Sequence, residues 1–162
     1  MGAMKLLTAL PFLLLLAGCA SAPGPADREA GAAAVASVLD SFHEAASRAD
    51  GEAYFAALAP DAVFIGTDPS ERWSVAEFRA FAAPYFSAGK GWTYVPRDRH
   101  IELDAGGDTA WFDEMLDNAS YGVCRGTGVL VRSGGGWKIA QYHLTIPIPN
   151  DLAKEIVGII RR

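Results

Sequence analysis

Cysteine and histidine are scarce in this sequence, with two cysteines and three histidines among 162 residues. A disulfide-stabilised secreted domain needs several paired cysteines, and a zinc site needs closely spaced His and Cys ligands. No two histidines here are separated by two or four positions, and none lies beside a cysteine. The chain also lacks a Walker loop, a dinucleotide fingerprint and a Gly-x-Ser-x-Gly elbow. We therefore expect no disulfide framework, no metal and no cofactor.

Basic residues are neither abundant nor clustered. The chain has 14 Lys and Arg against 19 Asp and Glu, a formal net charge of −5 and a pI near 5.1. Domains that bind nucleic acid or dock on anionic lipid present basic patches. This charge balance argues against nucleic acid as a partner, and it requires any membrane attachment to be covalent.

No hydrophobic run is long enough to span a bilayer. The most apolar one, Leu6 to Leu16, covers about half of the roughly 20 residues that a transmembrane helix needs. It follows Lys5 and ends in small residues, a pattern typical of a bacterial secretion signal. Leu16-Ala17-Gly18-Cys19 resembles the lipobox of bacterial lipoproteins, which implies cleavage before Cys19 and acylation of Cys19. An ordinary signal peptide that contains a cysteine is the alternative.

The lipoprotein resemblance implies an organisation for the whole chain. Residues 1–18 are the signal peptide, residues 19–26 are the lipidated cysteine and a Pro/Gly-rich flexible tether, and residues 27–162 are a single domain. Ala20 rather than aspartate follows Cys19, which in Gram-negative lipoproteins favours the outer membrane, facing the periplasm. With Cys19 alkylated, Cys124 has no intramolecular partner, and we expect it to be a buried, inert thiol.

Helical periodicity dominates the first half of the domain. It predicts an amphipathic helix over 27–48, a short helix over 52–58, and a helix that begins at a Ser74–Glu77 capping box and ends near Ser87. A short strand over 62–65 lies between the second and third helices, and an amphipathic stretch over 151–160 ends the chain.

From Trp92 onward the apolar period changes to two. Strands are predicted over 94–103, 109–117, 121–132 and 137–146, joined by loops too short for a parallel crossover. Gly122, Gly126 and Gly128 suit bulges or a sharp bend. The sequence therefore predicts an α+β fold: a cone-shaped, curved antiparallel sheet whose concave face is covered by the N-terminal helices.

Three strings of residues resemble the nuclear transport factor 2-like superfamily, in particular its SnoaL-like branch. They are residues 64–73, 137–144 and 147–150, and the similarity extends over about 32–157. The resemblance implies the cone fold and a homodimer formed through the outer face of the sheet. It does not choose a function, because this fold carries isomerases, cyclases, hydrolases, dehydratases and non-catalytic modules.

Enzymes of this superfamily usually rely on carboxylates or histidine deep in the cone, which makes Glu114 and His143 the catalytic candidates. Alternation places Glu114 on an otherwise apolar strand face, and it places His143 on one face with Trp137, Ile139, Gln141 and Thr145. A structural Glu114 paired with Arg125, and a structural His143, are the alternatives. His43 and His100 are expected to be solvated.

A polar cluster, Thr67 to Trp73, follows the first predicted strand. Its side chains at the mouth of the cone are expected to orient a ligand, and simple turn formation by Asp-Pro-Ser is the alternative. The pocket candidates are Tyr54, Phe64, Thr67, Asp68, Glu71, Trp73, Phe78, Tyr85, Phe112 and Gln141.

Two functions of different classes remain open. One is a lipid-anchored envelope protein whose cone binds a small, partly apolar molecule or a protein partner without turnover. The other is an acid–base enzyme, an isomerase, cyclase or hydrolase, that uses Glu114 and His143. The enzyme requires both side chains to face one cavity within about 6 Å. A purely structural dimer instead predicts a cavity filled by its own side chains.

Overall fold

The computed structural model describes residues 22–162, so the predicted signal peptide and Cys19 lie outside the described residues. The helices and strands follow one another as α1 (Pro25–Ser47), α2 (Gly51–Ala56), β1 (Leu58–Ile65), β2 (Arg72–Ser74), α3 (Val75–Ser87), β3 (Val95–Leu103), β4 (Thr109–Asn118), β5 (Gly122–Ser133), β6 (Gly136–Thr145) and α4 (Ala153–Ile160).

All six strands belong to one sheet, in the order β2-β1-β6-β5-β4-β3. The four consecutive strands β3 to β6 form the predicted antiparallel meander. β1, however, pairs with β6 in parallel, and β2 pairs antiparallel with β1. The sheet is therefore mixed, because the long connection from β1 to β6 permits the parallel pairing that short hairpins exclude.

Helices α1, α2 and α3 pack on one side of the curved sheet, as predicted for an α+β cone. The buried side of α1 contributes Val35, Leu39, Phe42 and Ala46 to the core, and α3 contributes Phe78 and Ala82. Ser74 caps α3 as predicted: its Oγ accepts from Glu77 N–H at 3.4 Å, and its backbone N–H donates to Glu77 Oε2 at 2.8 Å. α1 begins at Pro25, two residues before the predicted start, so the end of the predicted tether is helical.

Two β-bulges decide which side chains face the helices. In β3, Asp98 and Arg99 lie between Arg97, which pairs with Met115, and His100, which pairs with Asp113, so two residues stand opposite Glu114. Asp98 has a φ of +48°, the left-handed conformation found at some bulges. In β6, Val129 pairs with Gln141 while Leu130 pairs with Ile139, so Ala140 is the extra residue. Beyond each bulge the inward and outward positions are exchanged.

The two ends of the cone are distinguished by the direction of α1. At the lower end, Arg28 donates to the carbonyl oxygens of Leu103 and Asp104 at 3.0 and 3.1 Å, beside the β3–β4 hairpin. The β5–β6 hairpin lies at this same end, where Arg132 Nε donates to Gly107 O. At the upper end, Trp92 N–H donates to Ala46 O near the end of α1. The β4–β5 hairpin and the end of β1 also lie at this upper end.

The last helix, α4, has no buried residue. The amphipathic stretch predicted over 151–160 is thus helical from Ala153, but Leu152, Ile159 and Ile160 are exposed. Within residues 22–162, no helix combines the length and apolarity required to cross a membrane.

Candidate functional site

A cavity of about 290 Å³ lies between the helices and the concave face of the sheet. Its wall is mostly aromatic and is completed by a few small and polar residues. The lining comprises Phe42, His43, Ala46, Tyr54, Phe64, Gly66, Thr67, Glu71, Trp73, Phe78, Phe81, Tyr85, Trp92, Tyr94, Tyr121, Tyr142 and Leu144. Seven of the pocket residues expected from sequence are in this wall: Tyr54, Phe64, Thr67, Glu71, Trp73, Phe78 and Tyr85.

The cavity has a buried end and an exposed end. Tyr54, Phe78 and Tyr142 are 3 % exposed or less, whereas Tyr85 and Tyr121 are about half exposed. Tyr121 and Trp92 belong to the upper end of the cone, as does Thr67, which follows β1. The mouth of the cavity therefore opens at the upper end.

Three expected pocket residues lie elsewhere. Asp68 is exposed and accepts hydrogen bonds from Ser70. It therefore stabilises the turn, which was the alternative interpretation of this segment. Phe112 is buried behind the wall, with its ring 5.8 Å from that of Tyr142. Gln141 is exposed on the outer face of the sheet, because the bulge at Ala140 reverses the alternation in β6.

Glu114 is fully buried, as expected from its position on an apolar strand face. Its Oε1 accepts a hydrogen bond from His43 Nε2 at 2.7 Å, and its Oε2 accepts one from Arg99 Nε at 2.7 Å. The Tyr142 hydroxyl donates to Oε1 over a longer 3.4 Å. The alternative pairing with Arg125 is wrong, because Arg125 stands opposite Met115 on the outer face.

Arg99 reaches Glu114 because of the bulge in β3. Its Nη1 donates to Asp40 Oδ1 at 2.7 Å and to Ala36 O at 3.2 Å, so it joins β3 and β4 to α1. Burial lowers the pKa of this guanidinium, but the nearby carboxylates of Glu114 and Asp40 outweigh that effect and raise the pKa above its ordinary value. Arg99 is a permanent cation that forms ion pairs with the carboxylates of Glu114 and Asp40. The alternation of β3 alone did not indicate this role.

His43 is only 7 % exposed and lines the cavity, so the expectation of a solvated side chain is wrong. It lies four residues after Leu39 and three before Ala46, on the edge of the buried stripe of α1, and this spacing is the signal that could have identified it. The Glu114 carboxylate can only accept, so its contact requires a proton on Nε2. The neutral imidazole then has Nδ1 as an acceptor.

His143 does not share a face with Glu114. Across the meander, Glu114 pairs with Gly126 and Gly126 with Leu144, and all three are buried. Asp113, Thr127 and His143 form the neighbouring row on the outer face. The expected Glu114–His143 couple is therefore contradicted by the geometry, for the same reason that displaces Gln141. His100 is exposed, as expected, and pairs with Asp113.

Two glycines of β5, Gly126 and Gly128, leave space that neighbouring groups of the core fill. A Cβ at position 126 would lie within 3.0 Å of the Tyr142 hydroxyl, and one at position 128 would collide with the backbone oxygen of Gln141 and with the Phe112 ring. Gly126 therefore allows Tyr142 to reach Glu114 across the sheet, and Gly128 leaves room for Phe112 and the backbone of β6.

Three tyrosines of the wall keep their protons well above neutral pH. Burial raises the pKa of Tyr54 and of Tyr142 far above the usual value, and the negative charge of Glu114 adds to the effect on Tyr142. Burial also raises the pKa of Tyr94 to about 12. These hydroxyls are hydrogen-bond donors under physiological conditions.

Glu71 and Trp73 form part of the mouth. Glu71 Oε2 accepts a hydrogen bond from Asp68 N at 3.1 Å. The same oxygen occupies the place where a side chain at position 66 would begin, so Gly66 permits the carboxylate to fold against the cavity. The Trp73 ring stacks on Phe81 with centroids 4.8 Å apart and on Phe78 at 5.4 Å.

No metal-binding cluster of three or more His, Cys, Asp or Glu residues occurs between residues 22 and 162. Cys124 is buried as expected, and burial raises the pKa of its thiol.

Comparison with known proteins identifies the architecture. A family model described as the SnoaL-like domain matches residues 35–149. Among solved structures, an NTF2-like protein of unknown function from Pseudomonas putida KT2440 has a TM-score of 0.64 at 15% identity, covering 76% of this chain and 91% of that one. A protein of unknown function from the DUF3225 family of Pectobacterium atrosepticum SCRI1043 has a TM-score of 0.63 at 22% identity, covering 76% of this chain and 98% of that one. No curated protein sequence is significantly similar to this chain.

Proposed function

Because the chain belongs to the SnoaL-like domain family, we propose that its cone binds a small, largely apolar molecule with one polar group directed at His43. The observation that carries this proposal is an aromatic cavity with a single oriented histidine at its buried end. At about 290 Å³ the cavity is roughly twice the ~150 Å³ apolar cavity that admits benzene. A molecule of one or two rings fits this volume.

The buried end can recognise a hydroxyl or carbonyl group. His43 Nδ1 accepts a hydrogen bond from a ligand hydroxyl, since Nε2 is already engaged by Glu114. The protonated hydroxyl of Tyr54 supplies a donor in the same wall, whereas the Tyr142 hydroxyl is directed to Glu114. Specific binding in an apolar pocket depends on such a small number of placed polar groups.

The binding proposal is tested with the full chain, purified from its native host and analysed by mass spectrometry for small molecules that accompany it. Ala46→Leu fills the cavity from α1, while Ala34→Leu places the same side chain on the exposed face of that helix. A molecule retained by the native chain and Ala34→Leu but lost from Ala46→Leu is the expected result. Equal retention by both variants would contradict binding in this cavity.

Acid–base turnover of the bound molecule is the second candidate, with His43 in place of His143 as the base. The 2.7 Å contact between His43 Nε2 and Glu114 favours it, because a buried carboxylate fixes the tautomer and stabilises the imidazolium formed on proton abstraction. Conversion of the co-purified molecule by the native chain but not by His43→Gln, which still binds it, is the expected outcome for an enzyme. Unchanged recovery of the molecule leaves binding without turnover.

We also propose that the protein is a lipoprotein of the bacterial outer membrane, held on the periplasmic side through Cys19. Residues 16–19 support this assignment. Cys19→Ser is expected to yield an unacylated protein that leaves the membrane fraction. Continued acylation with unchanged membrane retention would refute the assignment.

A homodimer through the outer face of the sheet completes the proposal. Trp111 and Val123 on that face are 48% and 45% exposed, which favours burial against a second copy. Trp111→Asp is expected to halve the molar mass measured by light scattering. A native chain that is already monomeric at high concentration would exclude this dimer.

A further inference from the structure

The charges of the cavity wall point to one class of ligand. Among the described residues that line the cavity, Glu71 at the mouth is the one with a carboxylate side chain. None of these lining residues is Lys or Arg. The nearby cation, Arg99, lies behind Glu114 and is already paired with Glu114 and Asp40. A negatively charged ligand at the mouth would therefore meet Glu71 and no Lys or Arg side chain, since His43 lies at the buried end and is engaged by Glu114. Burial of an unpaired charge is strongly unfavourable.

The position of Glu71 is supported by its neighbours. Asp68 N–H donates a hydrogen bond to Glu71 Oε2. Gly66 has no side chain, which leaves room for that oxygen in the cavity wall. The side chain is half-buried rather than directed into solvent. No hydrogen bond from the rest of residues 22–162 occupies Oε1, so this carboxylate, which lines the cavity, retains acceptor capacity.

The aromatic residues around Glu71 favour the same sign of charge. Trp73, Phe81 and Tyr85 surround the mouth, and the rings of Phe81 and Tyr85 lie 5.6 Å apart. The face of an aromatic ring carries partial negative charge and attracts ammonium groups. A carboxylate among aromatic rings, with no Lys or Arg side chain in the same wall, is the arrangement that recognises amines.

We infer that the ligand is a protonated amine or quaternary ammonium compound, with its cationic group beside Glu71 and its apolar body in the aromatic cavity. This inference rests on the proposed ligand-binding function and specifies the chemical class. It also assigns Glu71 as the residue that determines specificity.

The test compares three probes of equal size and different charge: 2-phenylethylamine, 2-phenylethanol and phenylacetate, each also in a two-ring naphthyl form. Binding to the full chain is measured by calorimetry at neutral pH, where the amine is cationic. The amine is expected to bind at least about tenfold more tightly than the alcohol, or about 1.4 kcal/mol. The acid is expected to bind most weakly.

Substitution of Glu71 separates its charge from the rest of the cavity. Glu71→Gln is expected to lower amine affinity to that of the alcohol and to leave alcohol affinity unchanged. Glu102→Gln makes the same change in net charge at an exposed position of β3 and serves as the matched control. Gly66→Ala, which displaces the carboxylate, should reproduce the effect of Glu71→Gln.

The outcomes distinguish this inference from the proposed function. Alcohol that binds as tightly as amine, tightest binding of the acid, or equal effects of Glu71→Gln and Glu102→Gln would overturn the amine inference while leaving ligand binding intact. No binding of any probe in either ring size would overturn the proposed ligand-binding function itself.

Discussion

Glu114 is the residue at which the buried polar contacts of this domain converge. It links β4 to α1 through His43, to β3 through Arg99 and to β6 through Tyr142. A carboxylate with no exposed surface is stable only when its oxygens are satisfied, and here both accept hydrogen bonds from charged or polarised donors. The same contacts that orient His43 toward the cavity therefore also hold the helix on the sheet.

Removal of the Glu114 carboxylate should destabilise the protein substantially. In Glu114→Ala the half-buried Arg99 keeps Asp40 as its one carboxylate partner, and His43 Nε2 loses its acceptor. Loss of one partner of a buried pair costs about 3–5 kcal/mol in the free energy of unfolding. Urea denaturation is expected to show a decrease of about 3 kcal/mol for Glu114→Ala.

The exposed Glu155→Ala in α4 is the control, with an expected change within about 0.5 kcal/mol. Equal stability of the two variants would mean that the buried contacts of Glu114 contribute nothing to folding.

Residue-level prediction from the sequence succeeds where a side chain has one favourable environment. The burial of Glu114 followed from its apolar neighbours in β4, and the aromatic wall followed from the amphipathic helices. His43 and Arg99 were missed, since each depends on a distant partner: Glu114 lies 71 residues from His43, and Asp40 lies 59 residues from Arg99. A polar residue on the edge of a buried stripe gives a pattern that also fits a solvated residue.

At the scale of the elements, β5 depends on two glycines that face the interior. Gly128 lies where β5, Phe112 and the backbone of β6 meet, so a methyl group there has no space. Gly136, at the start of β6, has no atom within 4 Å of an added Cβ. The two positions therefore provide a matched pair for the same substitution.

Gly128→Ala is expected to lower the free energy of unfolding by about 2 kcal/mol or more, because the methyl group must separate β5 from β6. Calorimetry should record this change as a decrease in Tm of roughly 5–10 °C. Gly136→Ala should leave Tm nearly unchanged. A Gly128→Ala variant as stable as Gly136→Ala would show that the sheet can relax around position 128.

The elements themselves were largely predictable, while their register was not. Capping of α3 by Ser74 and the hairpin loops of the meander are local features with recognisable residues. The bulges at Asp98–Arg99 and Ala140 have no such residues, since neither contains glycine or proline. One inserted residue in β6 was enough to move Gln141 and His143 to the outer face. The parallel pairing of β1 with β6 was also beyond local sequence patterns.

At the scale of the whole molecule, the protonated tyrosines of the cavity set an alkaline limit to stability. The pKa of Tyr94 is raised to about 12 from the usual 10.0, and the pKa values of Tyr54 and Tyr142 are also raised by burial. Above pH 10 the unfolded chain releases phenolic protons that the folded chain keeps, so stability falls as the pH rises. This stabilisation is complete below about pH 10 and is lost through pH 12.

A pH titration followed by circular dichroism and phenolate absorbance should show unfolding and ionisation of these tyrosines together. Tyr94→Phe is expected to reduce the loss of stability above pH 10, while Tyr85→Phe, at a position that is 46% exposed, serves as control. Complete ionisation of every tyrosine in a still-folded protein would disprove the protection of the cavity hydroxyls.

The direction of α1 relates the proposed lipid anchor to the mouth of the cavity. α1 has 23 residues and a length of about 34 Å. It begins at the lower end of the cone, whereas the cavity opens at the upper end. The chain between Cys19 and Pro25 spans at most about 20 Å, so a lipid on Cys19 would keep the lower end near the bilayer. The mouth would then face the periplasm, where a soluble ligand can enter.

Single-cysteine labels test this orientation on the lipidated protein in vesicles that contain nitroxide lipids. Ser133→Cys places a fluorophore on the β5–β6 hairpin at the lower end, and Ser120→Cys places it on the β4–β5 hairpin at the upper end, both at exposed positions. Cys124 is buried and should not compete for the label. Quenching by the membrane is expected to be stronger at position 133 than at position 120. Equal quenching would contradict this orientation. Stronger quenching at position 120 would place the cavity mouth against the membrane and favour delivery of the ligand from the lipid phase.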